Sequence, residues 1–190
     1  MSLDFPNQPV VEGIKLSQSP AALSAFSVII KTFDCIIELG TFRGGLSCWL
    51  EENKRNDAFF KTFDINPNVI EIPEHKKINI GIGDTLSSIV EEEIKGYINE
   101  YNRVLILCDG GDKIKEFKLY SKLLKSGDAI MLHDYEHENE EYKYYQKLSN
   151  WHWPSESSFN EIKESVEKNN LQEYYYDLFK PGFWGSFIKV

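Results

Sequence analysis

The sequence lacks what would direct it to a nucleic acid or into a membrane. Its 190 residues include 21 lysines and arginines against 30 acids, a net charge of −9, with no basic block to offset it. Phosphate backbones are held by basic faces, so nucleic acid is not expected as a partner. No apolar run approaches the ~18 residues that a membrane-spanning helix needs. The opening "MSLDFPNQPV" has neither a basic start nor an apolar core, so no secretory leader is expected and the chain reads as cytoplasmic. Cysteine is scarce. Cys35, Cys48 and Cys108 are odd in number, unclustered and without metal-ligand spacing. They read as small buried hydrophobes in a reducing compartment.

What is present is enough for a core. Apolar residues make up 42% and aromatics 14%, which excludes a disordered acidic tail. The length suits a single domain spanning 1–190. Residues 1–18 are polar and read as an entry arm. Ser19-Pro20 has the chemistry of a helix start, and Leu23, Phe26, Ile29, Ile30 and Phe33 recur at helical spacing. Five strand-like runs follow at 34–39, 59–65, 77–84, 103–109 and 129–134. Helical patterns at about 44–54, 85–100 and 113–125 separate four of them. Strands alternating with helices predict an α/β fold, a doubly wound and mostly parallel sheet. Aromatic runs at 173–179 and 183–190, separated by Lys180-Pro181-Gly182, predict a closing antiparallel hairpin. The expected divisions are an arm and helix at 1–33, a core at 34–134, an insertion at 135–170 and the hairpin at 171–190.

Ligands of doubly wound sheets bind outside the carboxyl ends of the strands. Glu38, Asp64, Asp84, Asp109 and Asp134 all fall at or near such ends. "CIIELGTFRGG" adds Gly40, Gly44 and Gly45 where the first strand hands over to a helix. Glycine allows a tight turn and, lacking Cβ, lets a ligand approach the free N–H groups of the helix. Taken alone, such a turn can serve only close packing. Asp64, twenty residues after Gly44, is placed to accept from two ribose hydroxyls. The crevice is expected at 38–45, including Thr41, at Asp64-Ile65, at Gly83-Asp84-Thr85 and at 109–110.

"IIELGTFRGG", "TFDIN", "GIGDT" and "LKSGDAIMLHD" together resemble the class I S-adenosylmethionine-dependent methyltransferases. With "GIKLSQSP" before them, they are most similar to the cephalosporin hydroxylase-type group of that superfamily. The resemblance covers about residues 13–134 and implies S-adenosylmethionine as cofactor, a seven-stranded sheet and a small-molecule hydroxyl as acceptor. It implies Gly40–Gly45 at the methionine portion, Glu38 at its ammonium, Asp64 at the ribose, Asp84 and Thr85 at the adenine, and Asp109 beneath the sulfonium. Thr85 and Ser47 could equally be helix caps.

The resemblance also implies a divalent metal, Mg²⁺ in relatives, at Asp109, His133 and Asp134. His133 departs from the usual acid and suits a transition metal, or makes it a general base, or is structural. The same three residues are the catalytic candidates. His137 and Glu138 read as loop residues; Asp112-Lys113 resembles the acid-lysine step of metal-dependent catechol-type enzymes, where the lysine is a base, but with one residue more before it Lys113 reads rather as a solvated first-turn lysine. Tyr142, Tyr144, Tyr145, Trp151 and Trp153 could wall an acceptor pocket, cover the sheet or form a homo-oligomer interface. Two alternatives to methyl transfer are a nicotinamide dehydrogenase and a non-catalytic module that keeps the fold.

Overall fold

The computed structural model describes residues 8–149 and 154–190. Seven strands form the central sheet: β1 Cys35–Leu39, β2 Phe59–Asp64, β3 Asn79–Ile82, β4 Val104–Cys108, β5 Ala129–His133, β6 Leu171–Glu173 and β7 Trp184–Lys189. Their order across the sheet is β6-β7-β5-β4-β1-β2-β3. The five strands from β5 to β3 are parallel, and β7 runs antiparallel between β5 and β6. The expected architecture is therefore present.

The helices are α1 Pro20–Ile29, α2 Gly45–Asn53, α3 Ser88–Glu100, α4 Lys113–Tyr120, α5 Asn139–Ser149, α6 Phe159–Lys168 and the single turn α7 Tyr176–Phe179. Successive strand residues point to opposite faces, and both faces are covered. Cys35, Ile37, Leu39, Ile106 and Cys108 pack against Val90, Ile94, Phe117, Ile162 and Val166 of α3, α4 and α6. Ile36, Leu105, Leu107 and Met131 pack on the other side with Phe26, Leu46, Leu50, Phe179 and Trp184. All three cysteines are buried and free, as small hydrophobes would be. Burial holds the Cys35 and Cys48 thiols up at about 12 and about 11, so neither offers a thiolate at neutral pH. Among the described residues, no helix is long and apolar enough to cross a membrane.

The helix start at Ser19 is as read: its Oγ accepts from the Ala22 N–H at 3.1 Å, and Pro20 opens the helix. Several boundaries differ. The helix expected over 85–100 begins at Ser88, because Ser87 supplies the cap and 84–87 is a turn. The helix expected to run to 125 ends at Tyr120. The strand expected over 173–179 is a correction. Only Leu171–Glu173 pairs in the sheet, and 176–182 coils into α7 and a 3₁₀ turn. Left-handed Tyr175 and Phe183, at φ 54° and 63°, turn the chain on either side. Coiling lets Phe179 pack edge-on against Phe26 at 5.2 Å, a contact that a strand would not reach. The antiparallel pair thus survives, joined by a helical turn instead of a three-residue loop.

The region expected as an insertion at 135–170 is two things. α6 is a covering helix of the sheet, with Ile162 and Val166 in the core. The excursion proper is closed by a short parallel pairing of Tyr135–Glu136 with Ser157–Ser158. The arm is docked, not loose. Val10–Val11 pairs with Ile14–Lys15, and Ile14, Leu16 and Gln18 are buried.

Candidate active site

All five parallel strands end on one edge, and the order reverses between β1 and β4. That is the switch point where a crevice opens. A cavity of about 570 Å³ lies there. Every cofactor-binding residue expected from the sequence lines it: Glu38, Gly40, Thr41, Gly44 and Gly45 after β1, Asp64 and Ile65 after β2, Gly83, Asp84 and Thr85 after β3, and Asp109 after β4. His133 and Asp134 line its β5 side.

The glycines act differently from the expectation. Gly40 and Gly44 have φ of 101° and 91°, which side-chain-bearing residues resist. A Cβ on Gly40 would stand 2.3 Å from the Asp109 carbonyl, one on Gly44 would stand 2.1 Å from Ile72, and one on Gly45 would stand 2.9 Å from the Lys15 carbonyl. The absent side chains therefore make room for other parts of the chain. Ligand clearance is not what demands glycine at these three positions.

Glu38 ends β1 as a buried carboxylate, 1% exposed, accepting from the Ser47 hydroxyl. Burial pushes its pKa up to about 8, although the Ser47 and Thr62 hydroxyls work against that rise. Ser47 is thus a carboxylate partner, not a cap. Thr41 is hydrogen-bonded to Thr62, Oγ1 to Oγ1, at 2.6 Å. Asp64 is held open toward the cavity. Its Oδ2 accepts from the Phe42 N–H at 2.7 Å and its Oδ1 from the Asn66 N–H at 2.8 Å. Each carboxylate oxygen keeps a second lone pair for a ligand. Ile65 beside it is 70% exposed, an apolar surface offered at the rim.

Thr85 is neither a cap nor an open donor. Its hydroxyl donates to Glu116 Oε1 at 2.7 Å. Its carbonyl accepts from the Tyr120 hydroxyl. Glu116, 1% exposed, also accepts from the Gly110 N–H at 3.3 Å. Burial raises the Glu116 carboxyl to about 7.

The β4 and β5 ends converge. Ligand atoms of Asp109, His133 and Asp134 lie within 4.8 Å of one another. His133 Nδ1 is 3.0 Å from Asp109 Oδ1 and 3.6 Å from Asp134 Oδ2. Burial would lower the imidazole pKa, but the two carboxylates outweigh it and hold the group above its ordinary value. Gln18 fixes the other Asp109 oxygen, donating from Nε2 to Oδ2 at 3.0 Å while its Oε1 accepts from Trp184 Nε1 at 2.8 Å. Indole N–H only donates, so the amide can face only one way. Asp134 has φ 51°, an outlier for a non-glycine residue of the kind that gathers at functional sites. Its Oδ1 is buried without a hydrogen-bond partner. An orphaned buried carboxylate oxygen beside an imidazole and a second carboxylate fits a divalent ion.

Lys113 corrects the sequence reading outright. It is 8% exposed, with Nζ 3.4 Å from Asp134 Oδ2 and in direct contact with the Glu156 carboxylate. Burial alone would lower its pKa, but Asp109, Asp134 and Glu156 hold it above the ordinary value. His137 stacks on Phe159 at 4.6 Å and pairs with Glu173 at 3.1 Å, away from this cluster. Of the aromatic group, Tyr142 packs on Phe183, Tyr144 is exposed, and Trp151 and Trp153 lie outside the described residues. Gln18, Glu116 and Glu156 were not singled out from the sequence. Gln18 stands inside the quoted "GIKLSQSP", whereas the two glutamates give no local signal.

No family model matches the chain. A protein of Mycobacterium sp. (strain JLS), named "Putative O-methyltransferase", is 27% identical over 122 residues, 60% of this chain and 56% of its own length. The chain thus matches little more than half of that relative. The apo structure of CmcI superposes with a TM-score of 0.68 at 15% identity, covering 96% of this chain and 76% of that one. CmcI with Mg and SAM gives 0.67 at 16% identity, covering 97% and 77%. At these identities the likeness is one of fold: the chain has the α/β fold of CmcI, seven strands with an antiparallel closing pair.

Proposed function

We propose that the chain is an S-adenosylmethionine-dependent methyltransferase acting on the hydroxyl oxygen of a small molecule. The observation that carries this is the cavity at the switch point, into which Glu38, Asp64 and Asp109 project from three strand ends around the glycine turn. A buried carboxylate held up near pH 8 suits an ammonium group, because a cation would repay its ionisation. Asp64, fixed by two N–H groups, suits a pair of ribose hydroxyls. The matched O-methyltransferase and the Mg–SAM form of CmcI support the same reading.

In the reaction the acceptor oxygen attacks the methyl carbon, and the sulfonium leaves as the thioether of S-adenosylhomocysteine. The site must align the two and take up the hydroxyl proton. Where no ion is bound, His133 is the base that the geometry favours, its ring oriented by Asp109, whose Oδ1 lies 3.0 Å from Nδ1. Lys113, held protonated, would stabilise negative charge on the acceptor oxygen but would not accept its proton. Asp109, His133 and Asp134 would hold a divalent ion, Mg²⁺ by resemblance or a transition metal given the imidazole, which would supply Lewis acidity toward that oxygen. The acceptor would enter beside the excursion closed at Tyr135–Glu136, since Glu156 reaches Lys113 from there.

Calorimetric titration with S-adenosylhomocysteine and, separately, NAD tests the reading. S-adenosylhomocysteine is expected to bind and NAD not to. Binding of NAD alone would return the chain to the dehydrogenase class. Binding of the product with no methyl donor consumed across a panel of phenols, catechols and alcohols would favour the non-catalytic module.

A further inference from the structure

The loops after β3 and β4 wall one end of the cavity, yet β2 and β1 separate their strands in the sheet. No strand pairing joins these two loops directly. α4 does so instead. Glu116 and Tyr120 are four residues apart, on one face of the helix. Glu116 takes the Thr85 hydroxyl and Tyr120 the Thr85 carbonyl, so the β3 loop is gripped by both its side chain and its backbone. The second Glu116 oxygen takes the Gly110 N–H of the β4 loop. The fit at Gly110 is close. A Cβ there would stand 2.1 Å from Glu116 Oε1. The Glu116 carboxylate thus occupies the space that a side chain at Gly110 would enter. Thr85, Gly110 and Glu116 all line the cavity.

We propose that Glu116 is a positioning residue for the cofactor: by clasping Thr85 and Gly110 it holds together two loops that no direct strand pairing joins. This rests on the reading of the cavity as an S-adenosylmethionine site. The clasp has no covalent chemistry. It works by holding Gly83, Asp84 and the Gly110 backbone at the separation that the bound nucleoside spans.

The test is S-adenosylhomocysteine affinity by calorimetry, with thermal stability measured on the same samples. Glu116→Ala and Thr85→Val each remove the bond between them, and each is expected to weaken binding about tenfold or more. The double variant should be no worse than the weaker-binding single, because both remove one interaction. Glu116→Gln keeps the volume but only one acceptor oxygen, so it should recover part of the loss, whereas a mere packing role predicts full recovery. Gly110→Ala should weaken binding in the native background and do little in the Glu116→Ala background, where the collision is gone. Affinity within twofold of wild type in both Glu116→Ala and Thr85→Val would overturn the proposal, as would additive losses. If the wild-type protein bound no S-adenosylhomocysteine, the cofactor reading would fail by itself. The thermal data on unliganded protein would then decide the clasp: non-additive losses for Gly110→Ala with Glu116→Ala support it, and additive ones overturn it.

Discussion

The two ends of the cavity hold their charges in opposite ways. Toward the glycine turn and α4, Glu38 and Glu116 are buried among hydroxyls and N–H groups, and burial lifts their carboxyls to about 8 and about 7. The largest influence on each is loss of water. Toward β4 and β5, the carboxylates of Asp109, Asp134 and Glu156 meet His133 and Lys113 within 3.6 Å. The first end holds its carboxyls by burial and hydrogen bonds, and suits a ligand that brings positive charge. The second is largely compensated by its own side chains. A divalent ion there would have to share Asp134 with Lys113, so its affinity should depend on that lysine.

Breaking the compensated end should have the largest effect. Lys113→Met leaves Asp134 buried beside one less cation and should destabilise the protein by about 3–5 kcal/mol at neutral pH. Denaturant unfolding checks this. If the ion-pair reading is right, added Mn²⁺ or Zn²⁺ should restore part of the loss, since the metal replaces the missing charge. A loss below about 1 kcal/mol would show Lys113 to be screened by solvent despite its burial.

Next in size is the ribose position. On the proposed reading Asp64→Ala removes two charge-assisted bonds to the cofactor, and it should then cost roughly 2–4 kcal/mol, or about 30- to 1,000-fold in S-adenosylhomocysteine affinity. Asp64 also holds the Phe42 and Asn66 N–H groups, so Asp64→Asn serves as the control that keeps acceptor geometry at one oxygen. Equal affinity in all three proteins would remove the assigned role.

The contrast also fixes a pH dependence. Glu38 and Glu116 are raised in the folded protein above the ~4.3 of an unfolded glutamate, so the native state binds the extra protons. Their contribution is fully present below the unfolded value and is lost as pH rises through about 7 to 8. His133 and Asp134 are raised too and act in the same direction. The melting temperature of unliganded protein should therefore fall by about 5 °C or more between about pH 5.5 and about pH 8.5. Glu38→Gln should flatten that slope, and an unchanged slope would mean that Glu38 does not carry the extra proton.

The same contrast separates what the sequence displays from what it hides. β1 through β5 were legible because each is a short apolar run ending at a carboxylate and followed by helical periodicity. The cavity lining was legible because those carboxylates inherit one edge from a parallel sheet. The reason for the glycines was not, since the atoms they avoid, in Asp109, Ile72 and Lys15, come from distant sequence. Lys113 looked solvated because nothing near it in sequence shows Glu156, 43 residues on, folding back onto it. Glu116 gave no signal for the same reason. Its partners Thr85 and Gly110 meet it only once α4 has packed. The tail misled because aromatic runs suit a strand or a helical turn equally, and the choice at 176–179 was made by the packing of Phe179 against α1.

The central claim is that the glycine-turn end is a site for a cofactor that carries an ammonium group. Calorimetric titration of S-adenosylhomocysteine at neutral pH, repeated in buffers of different ionisation enthalpy, tests it most directly. Glu38 is protonated in the free protein, and an ammonium beside it favours the ionised form. Binding should therefore release about half to one proton, and Glu38→Gln should abolish that release. Absence of binding at millimolar ligand, or binding with the same proton release in Glu38→Gln, would contradict it.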